Sequence, residues 1–548
     1  MKNDKRNLLK KLLIAGTAVA AAATAAAVVK KVRKDNLLAG KDSKKLPRKK
    51  NIYIDGRGIS SLAAAVFLIT DGMYEPSSIH IYGLPDTSQR VVEYGNAQRS
   101  FRRLMGLMDA ETQDGLFVAD MLENMRFSAV PEIKESDRNG NISPMSLKPS
   151  KQIMRAVSKC IARISRMSED ERNNTSIMDC FADVAFFETD LYLFIETVFS
   201  IKPEYKVSEL IKRIELLTQS KPQAMGALSY ELSVAGIIGE YLTRQGVSIM
   251  PNALINSADI SENGRIAALN IDNDGTKMTI YLNKEDMLIV TAGDIYDGAS
   301  CGDFSNAAPA SENLPLSELW LSLAENGSQF GLPLELYEKE SPVMEFSIKD
   351  DDGYLLDKIC SFADADPKNG VSVVFGETPW KMMLTSAPYS KNEEYEVEIE
   401  FDDEIDIPFP MDDEIEQPYI NVRCIRTDIE GDFIDKAART CTGVELLYEL
   451  CMQMGLTDEW DEILEHIDTV LIRYYPYMNA SMRTHSPHTL PSIRPCSNCI
   501  LTGAFVNTED VPAASLEQEI YSAQCAANIL TGKKTRKVKQ KKINLNRI

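Results

Sequence analysis

The sequence predicts an α/β fold that begins with a strand, a glycine turn and a helix, and then continues into a second strand. The apolar run Asn51–Asp55 is typical of a buried strand, and the alanine-rich segment after Gly58 is typical of a helix packed on a sheet. Ile79–Tyr82 supplies the next apolar strand at the spacing of a βαβ unit. Leu288–Gly293 adds another buried strand that ends in glycine. These observations favour a sheet that binds a nucleotide at its edge.

The turn itself reads Gly56-Arg57-Gly58-Ile59-Ser60-Ser61. Gly56 lets the chain turn sharply, and Gly58 has no side chain to keep a pyrophosphate from the helix N-terminus. Ser61 is small enough for the helix and the strand to pack closely. A single Gly-x-Gly-x-x-Ser pattern is weak evidence, and the second strand at βαβ spacing strengthens it. Gly56, Gly58 and Ser61 are therefore candidate dinucleotide-binding residues.

Charge and cysteine content exclude several classes of function. The 548 residues carry a net charge of −21, which argues against a nucleic-acid-binding protein. Ten cysteines are scattered along the chain, with a single pair of close spacing, Cys496-x-x-Cys499. A structural zinc site needs four ligands, so this pair predicts no metal site. Reduced thiols in a cytoplasmic protein are the expected state.

The N-terminal segment 1–50 combines an apolar run with basic flanks. Leu12–Val29 contains no charge and has the minimum length of a membrane-spanning helix. Because the positive charge is heavier on its C-terminal side, the rest of the chain is expected on the cytoplasmic face of a membrane. Two alternatives remain open: a cleaved secretory signal, and a helix that never enters a bilayer.

Asn51–Gly72 closely resembles the N-terminus of the oleate hydratases, formerly called myosin-cross-reactive antigens. Further segments match that family: Val373–Phe375 with Trp380, Cys441–Gly443 and Cys496–Phe505. The resemblance implies a Rossmann-like FAD-binding flavoprotein fold of the α/β class, with inserted helical and antiparallel β substrate regions. It also implies FAD as cofactor, an unsaturated fatty acid as substrate, and addition of water across a cis double bond.

This resemblance divides the chain into segments with separate roles. An FAD-binding-like domain is expected to be discontinuous, and the other parts are expected to surround the substrate. The expected segments are an anchor with a basic linker (1–50), the discontinuous domain (51–110, 245–310 and 490–532), a helical substrate or lid region (111–244), a second substrate region (311–489) with an exposed acidic insertion (391–416), and a basic tail (533–548) suited to a membrane surface.

Several family contacts to the flavin are altered in this sequence. Gly83 stands where the family has a glutamate that accepts hydrogen bonds from ribose, and Pro85–Arg90 replaces a Gly-Gly-Ser loop. Arg57 lies inside the glycine turn, where it either helps or hinders a phosphate. We therefore expect FAD to bind more weakly than in relatives with the acid intact. The resemblance gives four further candidates for cofactor binding: Gly293, Glu509, Asp510 and Val511.

The catalytic positions are altered as well. Hydration needs a base that polarises water and an acid that protonates the alkene carbon. The family's carboxylates align with Asn96 and Gln98, whose amides cannot take a proton, and Glu93 is the nearby carboxylate if the register shifts. Tyr230, in a retained Tyr-Glu pair, is the candidate proton donor. Its alternative interpretation is an interfacial tyrosine at the start of a helix.

The expected binding site for the substrate carboxylate is better preserved. Ser497 and Asn498 match a small polar residue and an asparagine to which the family assigns this role. Two functions therefore remain open: a fatty-acid hydratase with an altered active site, and a catalytically impaired member that binds fatty acid or lipid at the membrane. A different flavin oxidoreductase is a third alternative, and the sequence leaves a homodimer open.

Overall fold

The computed structural model describes residues 50–85, 90–93, 99–108, 132–182, 184–219, 229–309, 314–386, 419–484, 489–508 and 511–533. The predicted anchor Leu12–Val29, the acidic insertion 391–416 and the tail beyond residue 533 lie outside these ranges. Among the described helices, none combines the length and the apolar character that crossing a bilayer requires.

The part of the chain that the structure describes contains 18 β-strands and 14 α-helices. The strands are β1 (Ile52–Asp55), β2 (Ile79–Tyr82), β3 (Arg90–Glu93), β4 (Ile133–Ser136), β5 (Ile142–Pro144), β6 (Ser229–Leu232), β7 (Ser248–Met250), β8 (Ala253–Ile260), β9 (Ile266–Asn273), β10 (Thr276–Tyr281), β11 (Met287–Thr291), β12 (Ser300–Gly302), β13 (Val343–Asp350), β14 (Val371–Phe375), β15 (Met382–Ser386), β16 (Tyr419–Cys424), β17 (Ile467–Tyr475) and β18 (Cys499–Thr502). The α-helices are α1 (Ile59–Thr70), α2 (Arg99–Met108), α3 (Lys151–Ile164), α4 (Glu169–Asn174), α5 (Ile177–Phe181), α6 (Asp190–Phe199), α7 (Val207–Gln219), α8 (Val234–Gln245), α9 (Glu318–Ala324), α10 (Pro333–Tyr337), α11 (Tyr354–Phe362), α12 (Gly443–Gln453), α13 (Trp460–Glu465) and α14 (Leu516–Thr531).

A five-stranded sheet in the order β18-β11-β1-β2-β7 forms the first part of the fold. Each pair of neighbouring strands in it is parallel, and Ile52 pairs with Ile79 on one side and with Met287 on the other. Because parallel neighbours need a crossover, α1 joins β1 to β2 across the sheet face. This arrangement confirms the predicted Rossmann-like α/β class.

The two faces of the parallel sheet bury different layers. Ile52 and Ile54 of β1 share a core with α1, α2, α8 and α14. Tyr53, between them, points to the opposite face and packs in a core with α9 and the three-stranded antiparallel sheet β10-β9-β8. Alternation of side chains along a strand produces this division. The sheet is therefore covered by helices on one face and mainly by a β-layer on the other.

An eight-stranded sheet forms the second part of the fold, in the order β12-β17-β13-β16-β15-β14-β4-β5. Its pairs are antiparallel except for β14 and β4, which run parallel. Helices α11, α12 and α13 cover one face. The other face is covered by α3, α5, α6 and α7, which share a core with Val374 and Met383 of the sheet.

Three strands of the parallel sheet, β1, β2 and β11, were predicted with nearly correct bounds, whereas several strands of the second sheet were not predicted. Residues 111–244 were expected to form a helical region, yet β4 and β5 lie there and join the second sheet. Strand β12 also joins that sheet, although it lies inside a segment predicted to belong to the nucleotide-binding domain. The aromatic-rich stretch around α6 contributes buried core residues to the second part of the fold.

Candidate functional site

The turn between β1 and α1 packs closely against the ends of two neighbouring strands. The backbone N–H of Gly56 donates to the carbonyl oxygen of Tyr82 at 2.8 Å. A Cβ added to Gly56 would lie 2.4 Å from the carbonyl oxygen of Gly83, and one added to Gly58 would lie 2.4 Å from Cγ2 of Thr291. Both positions therefore require glycine because of contacts within the protein itself.

Buried hydroxyl groups attach α1 to the sheet. Ser61 Oγ lies 2.6 Å from Thr291 Oγ1 and 3.1 Å from Thr502 Oγ1, and Ser60 Oγ donates to Thr502 at 3.1 Å. Thr291 Oγ1 donates its own hydrogen to the carbonyl of Asp55 at 3.0 Å, so Ser61 is the donor to Thr291. Ser61 therefore provides the close packing that its size suggested. The hydroxyl network was missed, although both partner threonines end buried strands.

An aspartate from the end of β11 occupies the N-terminus of α1. The backbone N–H of Ile59 donates to Asp294 Oδ2 at 3.1 Å, and the other oxygen of Asp294 accepts from the N–H of Tyr296 at 2.9 Å. Helix α1 has no acidic residue in its own first turn. Asp294 thus supplies the negative charge that a helix N-terminus attracts. A dinucleotide phosphate at this helix would meet a carboxylate already bound there.

Arg57, inside the glycine turn, is held by neighbouring side chains. Its Nε donates to Asp55 Oδ1 at 2.9 Å, and one terminal nitrogen donates to Asp55 Oδ2 at 3.2 Å. The same nitrogen donates to Ser317 Oγ at 2.5 Å. Asp55 is fully buried and forms an ion pair with Arg57. A phosphate would have to compete with Asp55 for the guanidinium group.

The position at which the family carries its ribose-binding acid is crowded. Gly83 follows β2 with a φ of +80°. A Cβ on Gly83 would lie 3.1 Å from Cδ2 of Leu254 and 3.2 Å from Cγ of Arg57. A glutamate here would be strained in its backbone and confined by the Arg57 stem.

Three carboxylates lie close together beside the helix N-terminus. Asp297 accepts from the N–H of Asp294 at 2.8 Å and from the hydroxyl of Tyr337, while Glu519 accepts from the N–H of Ile295 at 2.6 Å. Burial and then the charge of Asp294 raise the pKa of Asp297 to about 7. The same two causes raise the pKa of Glu519 well above its usual value. The surroundings of the N-terminus of α1 are therefore already rich in acid groups, and none of the three was identified from the sequence.

Gly293 packs against an aromatic cluster that includes Phe505 from the chain after β18. Gly293 has a φ of +74°, and a Cβ there would lie 2.0 Å from Cδ2 of Phe505. The Phe505 ring stacks on Trp320 at a centroid distance of 6.0 Å and meets Tyr337 edge-on at 5.3 Å. Val511, which follows Phe505 along the chain, is also buried. Gly293 is thus required for packing against Phe505; Glu509 and Asp510 lie outside the described residues.

The shape of the glycine turn suits a dinucleotide, and the charges around it do not. Gly56, Gly58 and Ser61 make the expected tight connection. However, the carboxylate of Asp294 occupies the helix N-terminus, and two like charges about 4 Å apart repel by roughly 4 kcal/mol at an effective dielectric constant of 20. Gly83 offers no acid to a ribose. We conclude that these residues, in the arrangement described, do not fit a tightly bound FAD.

The residues predicted to bind the substrate carboxylate lie at the end of the parallel strands opposite to the glycine turn. Asn498 is 0% exposed, and its amide bonds the backbone of Ile266 twice, accepting from N–H and donating to the carbonyl, each at 3.0 Å. Ser497 is exposed, and its carbonyl accepts from Arg494 at 3.3 Å. Both residues precede β18, whereas the glycine turn follows the carboxyl end of β1 in the same parallel sheet. Their substrate role stays a prediction, and a carboxylate at Asn498 would have to displace Ile266.

The Cys496 and Cys499 thiols face each other across a short antiparallel bridge. Both are free; Cys496 is partly exposed and Cys499 is buried. The hydrogen bond from the Cys499 thiol lowers the pKa of Cys496 to about 6 and, with burial, raises the pKa of Cys499 well above its usual value. In the part of the chain that the structure describes, no group of three or more acidic, histidine or cysteine side chains has the geometry of a metal site.

The two predicted catalytic residues lie on a two-stranded ribbon. β3 pairs with β6 in antiparallel fashion, with Glu93 opposite Ser229 and Val92 opposite Tyr230. Glu93 and Tyr230 therefore lie on adjacent strands, at successive positions of the backbone register. Asn96 and Gln98 lie outside the described residues. Whether Glu93 or Tyr230 takes part in catalysis stays a prediction.

The parallel sheet, its glycine turn and the antiparallel layer behind it define an α/β protein of the flavoprotein type. The chain belongs to the MCRA family, whose model matches residues 49–399 and 413–527. This confirms the family resemblance given by the sequence.

Two hydratases are similar to this chain along most of their length. The linoleate hydratase of Lactiplantibacillus plantarum is 21% identical over 541 residues, covering 87% of this chain and 93% of the relative. The oleate hydratase of Streptococcus pyogenes serotype M49 (strain NZ131) is 19% identical over 494 residues, covering 81% and 78%.

Solved structures share the fold at much lower identity. Cyclohexylamine oxidase from Brevibacterium oxydans IH-35A superposes with a TM-score of 0.51 at 9% identity, covering 88% of this chain and 99% of the oxidase. Wild-type putrescine oxidase bound to putrescine gives a TM-score of 0.51 at 8% identity, with the same coverage. These likenesses support the flavoprotein-type fold and nothing about the reaction.

Proposed function

We propose that this chain binds an unsaturated fatty acid and that its hydratase activity is absent or much reduced. Family membership and the two similar hydratases support a fatty acid as the ligand. The observation that carries the second part is the carboxylate of Asp294 at the N-terminus of α1, where the family's flavin would need its pyrophosphate.

The lack of carboxylates at the predicted positions of the catalytic base supports the same proposal. Asn96 and Gln98 stand where the family resemblance predicts carboxylates, and an amide takes no proton near neutral pH. A positioned base contributes roughly 10²–10⁴-fold to a rate. Its loss slows hydration without removing the groups that bind the substrate, so binding and turnover are expected to separate.

FAD is the cofactor that the family implies, and we propose that this chain binds it weakly. The turn with Gly56 and Gly58 favours binding, whereas Asp294 and the missing acid at Gly83 oppose it. Losing a charge-assisted hydrogen bond costs about 1.5–3 kcal/mol. The expected affinity is therefore at least tenfold below that of a relative with the acid intact.

A residual hydratase is the second candidate function, and the presence of Glu93 and of the Tyr230-Glu231 pair in the sequence favours it. Glu93 and Tyr230 lie on adjacent strands, at successive rather than paired positions of the register. In this alternative, Glu93→Gln abolishes hydroxy-acid formation while Glu75→Gln, a substitution in the loop before β2, leaves it unchanged. Formation of product that does not depend on Glu93 would exclude this role for the residue.

Membrane association is proposed from the sequence. Leu12–Val29 and the basic tail would hold the chain on the cytoplasmic side of a membrane. Carbonate extraction of cell membranes tests it: the full-length chain is expected in the pellet, and a chain found in the supernatant would contradict the proposal.

Calorimetric titration of the purified full chain with oleate tests the fatty-acid ligand. Oleate is expected to bind, and stearate serves as the saturated comparison. The visible absorption spectrum of the same preparation is expected to show little or no flavin. A chain that binds no fatty acid would refute the first part of the proposal. One that is purified with stoichiometric flavin would refute the weak affinity for FAD.

A further inference from the structure

The turn that leads into β18 has a thiol at each end. Cys496 and Cys499 enclose Ser497 and Asn498, and an antiparallel bridge pairs the two cysteines. Residues paired in this way have Cα atoms about 4.5–5.5 Å apart. A disulfide joins residues whose Cα atoms are about 4.4–6.8 Å apart. The backbone therefore holds the two cysteines at a separation that suits a disulfide.

Hydrogen bonds to two neighbouring strands fix this turn in place. The Asn498 amide bonds the backbone of Ile266 in β9 twice, and the Asn498 carbonyl accepts from the N–H of Leu288 in β11 at 2.9 Å. Cys499 begins β18 and pairs with Leu288 in the parallel sheet. Joining the two sulfur atoms therefore needs rotation of the cysteine side chains and leaves the backbone of the turn where it is.

The two thiols differ in their exposure to solvent. Cys496 is partly exposed, whereas Cys499 is 0% exposed and belongs to the core shared with the three-stranded sheet. A reagent from solvent therefore reaches Cys496 first. An accessible thiol with a second thiol beside it is the usual arrangement of a reversible redox site, in which the second thiol resolves the first product.

The surroundings of Cys496 favour its reactive form. The hydrogen bond from the Cys499 thiol, together with neighbouring backbone groups, lowers the pKa of Cys496 to about 6, although burial opposes this. At neutral pH most of Cys496 is therefore thiolate, which is the species that attacks a disulfide.

Cys499 becomes easier to ionise after Cys496 has reacted. Its hydrogen bond to Cys496, its burial and the charge of Cys496 raise the pKa of Cys499 well above the usual value. The first and the third of these causes disappear once the Cys496 sulfur is bonded to another sulfur. The first step of an exchange reaction thus prepares Cys499 for the second.

A reversible role suits this pair better than a structural one. A disulfide stabilises a fold by restricting the unfolded chain, and this effect is smallest for the shortest loops. Only two residues separate Cys496 from Cys499. Within the described ranges, the pair also lacks the further side chains that a metal site would need.

We propose that Cys496 and Cys499 form a redox-active dithiol that exchanges with low-molecular-weight disulfides. The Cys496 thiolate attacks one sulfur of the small disulfide, which forms a mixed disulfide and releases a thiolate that takes a proton from water. The Cys499 sulfur then attacks the Cys496 sulfur, and the second small thiol leaves with the proton of Cys499. Two electrons pass from the protein to the small disulfide. This site is independent of the proposed fatty-acid binding.

Oxidised glutathione, added at pH 7 to the reduced, purified full chain, tests the proposal. Peptide mapping by mass spectrometry is expected to find a Cys496–Cys499 disulfide in wild type. Cys499→Ala removes the resolving thiol and is expected to hold at least about tenfold more glutathione on Cys496 than wild type, because resolution within the turn has a high effective concentration. Cys301→Ala is the matched control: it removes an exposed cysteine outside the turn and should leave the yield of disulfide unchanged.

Three results would overturn the proposal. They are a lack of reaction at Cys496, a glutathione adduct on Cys496 that persists in wild type, and stoichiometric zinc in the purified chain, which would make the thiols metal ligands. Melting curves check that each variant is folded. Cys496→Ala keeps the test valid if Cys499→Ala does not fold: buried Cys499 is then expected to take up no glutathione, and an adduct there would contradict the order of attack.

Discussion

Removing the carboxylate of Asp294 should improve FAD binding. In Asp294→Ala, the N–H of Ile59 loses the acceptor that lies 3.1 Å away, and the N-terminus of α1 becomes free to bind a phosphate. The variant also loses the hydrogen bond from Tyr296. Stability should therefore fall while affinity for an anion rises, a combination that a general loss of structure would not produce.

The magnitudes follow from the contacts. Loss of a helix cap costs about 0.5–2 kcal/mol of stability. In wild type, a pyrophosphate must either displace this carboxylate or lie beside it, and both cost at least the energy of the cap. Removing the competition should thus tighten FAD binding by roughly one order of magnitude or more. Calorimetry and the quenching of FAD fluorescence on binding both measure this change.

Asp286→Ala provides a matched control. Asp286 is buried at the start of β11, at the other end of the strand that precedes Asp294, and accepts from the backbone of Asn51 at 3.1 Å and Asn283 at 2.8 Å. Its loss should lower stability similarly and leave FAD affinity unchanged. The reasoning is refuted if Asp294→Ala binds FAD no better than wild type, or if both variants gain equally.

Three further predictions concern single side chains. Gly83→Glu should lower stability by about 1–2 kcal/mol, because φ is +80° there, and should not restore FAD affinity; denaturant unfolding and calorimetry measure both. Asp297→Asn should stabilise the chain relative to wild type, by an amount that grows from pH 4 to pH 7 and reaches up to about 4 kcal/mol. The reason is that the raised pKa of about 7 makes wild type lose stability as the pH rises through that range. Melting curves at pH 5 and pH 8 measure this; if the pKa were ordinary, the difference between variant and wild type would be the same at both pH values. Cys496 should react with iodoacetamide at pH 7 about tenfold faster than the exposed Cys301, as peptide mapping would measure; equal rates would contradict the thiolate.

Local sequence patterns predicted the parallel sheet and its turn. Four strands of that sheet have continuous or alternating apolar residues, and the glycines of the turn leave few alternatives for its backbone. The close packing at Ser61 was predicted for the same reason, since size alone determines it. These features depend on neighbours within a few residues.

The charges that alter the site depend on distant parts of the chain. Asp294 caps α1 across 235 positions, and Asn498 bonds Ile266 across 232. A sequence pattern contains no signal for either pairing, because an aspartate after a strand and an asparagine before one are common in loops. Gly293 was assigned to the cofactor from its place after β11, whereas its contact with Phe505 is a long-range packing requirement.

Short strands and buried charged side chains were also not predicted from the sequence. β4 and β5 have only 4 and 3 residues, too few to show an alternation against the helical pattern around them. Lys206 reads as one more polar residue at the start of an amphipathic helix. Only the packing of α7 against the C-terminal segment buries it.

Product analysis with oleate and excess FAD tests the central claim most directly, with the linoleate hydratase of Lactiplantibacillus plantarum as the positive control. Binding of oleate by the same preparation is first confirmed by calorimetry. The account predicts that oleate binds and that hydroxy fatty acid forms at least about a hundredfold more slowly than in the control, because the base positions hold Asn96 and Gln98. Formation of hydroxy acid at a rate comparable to the control would contradict it.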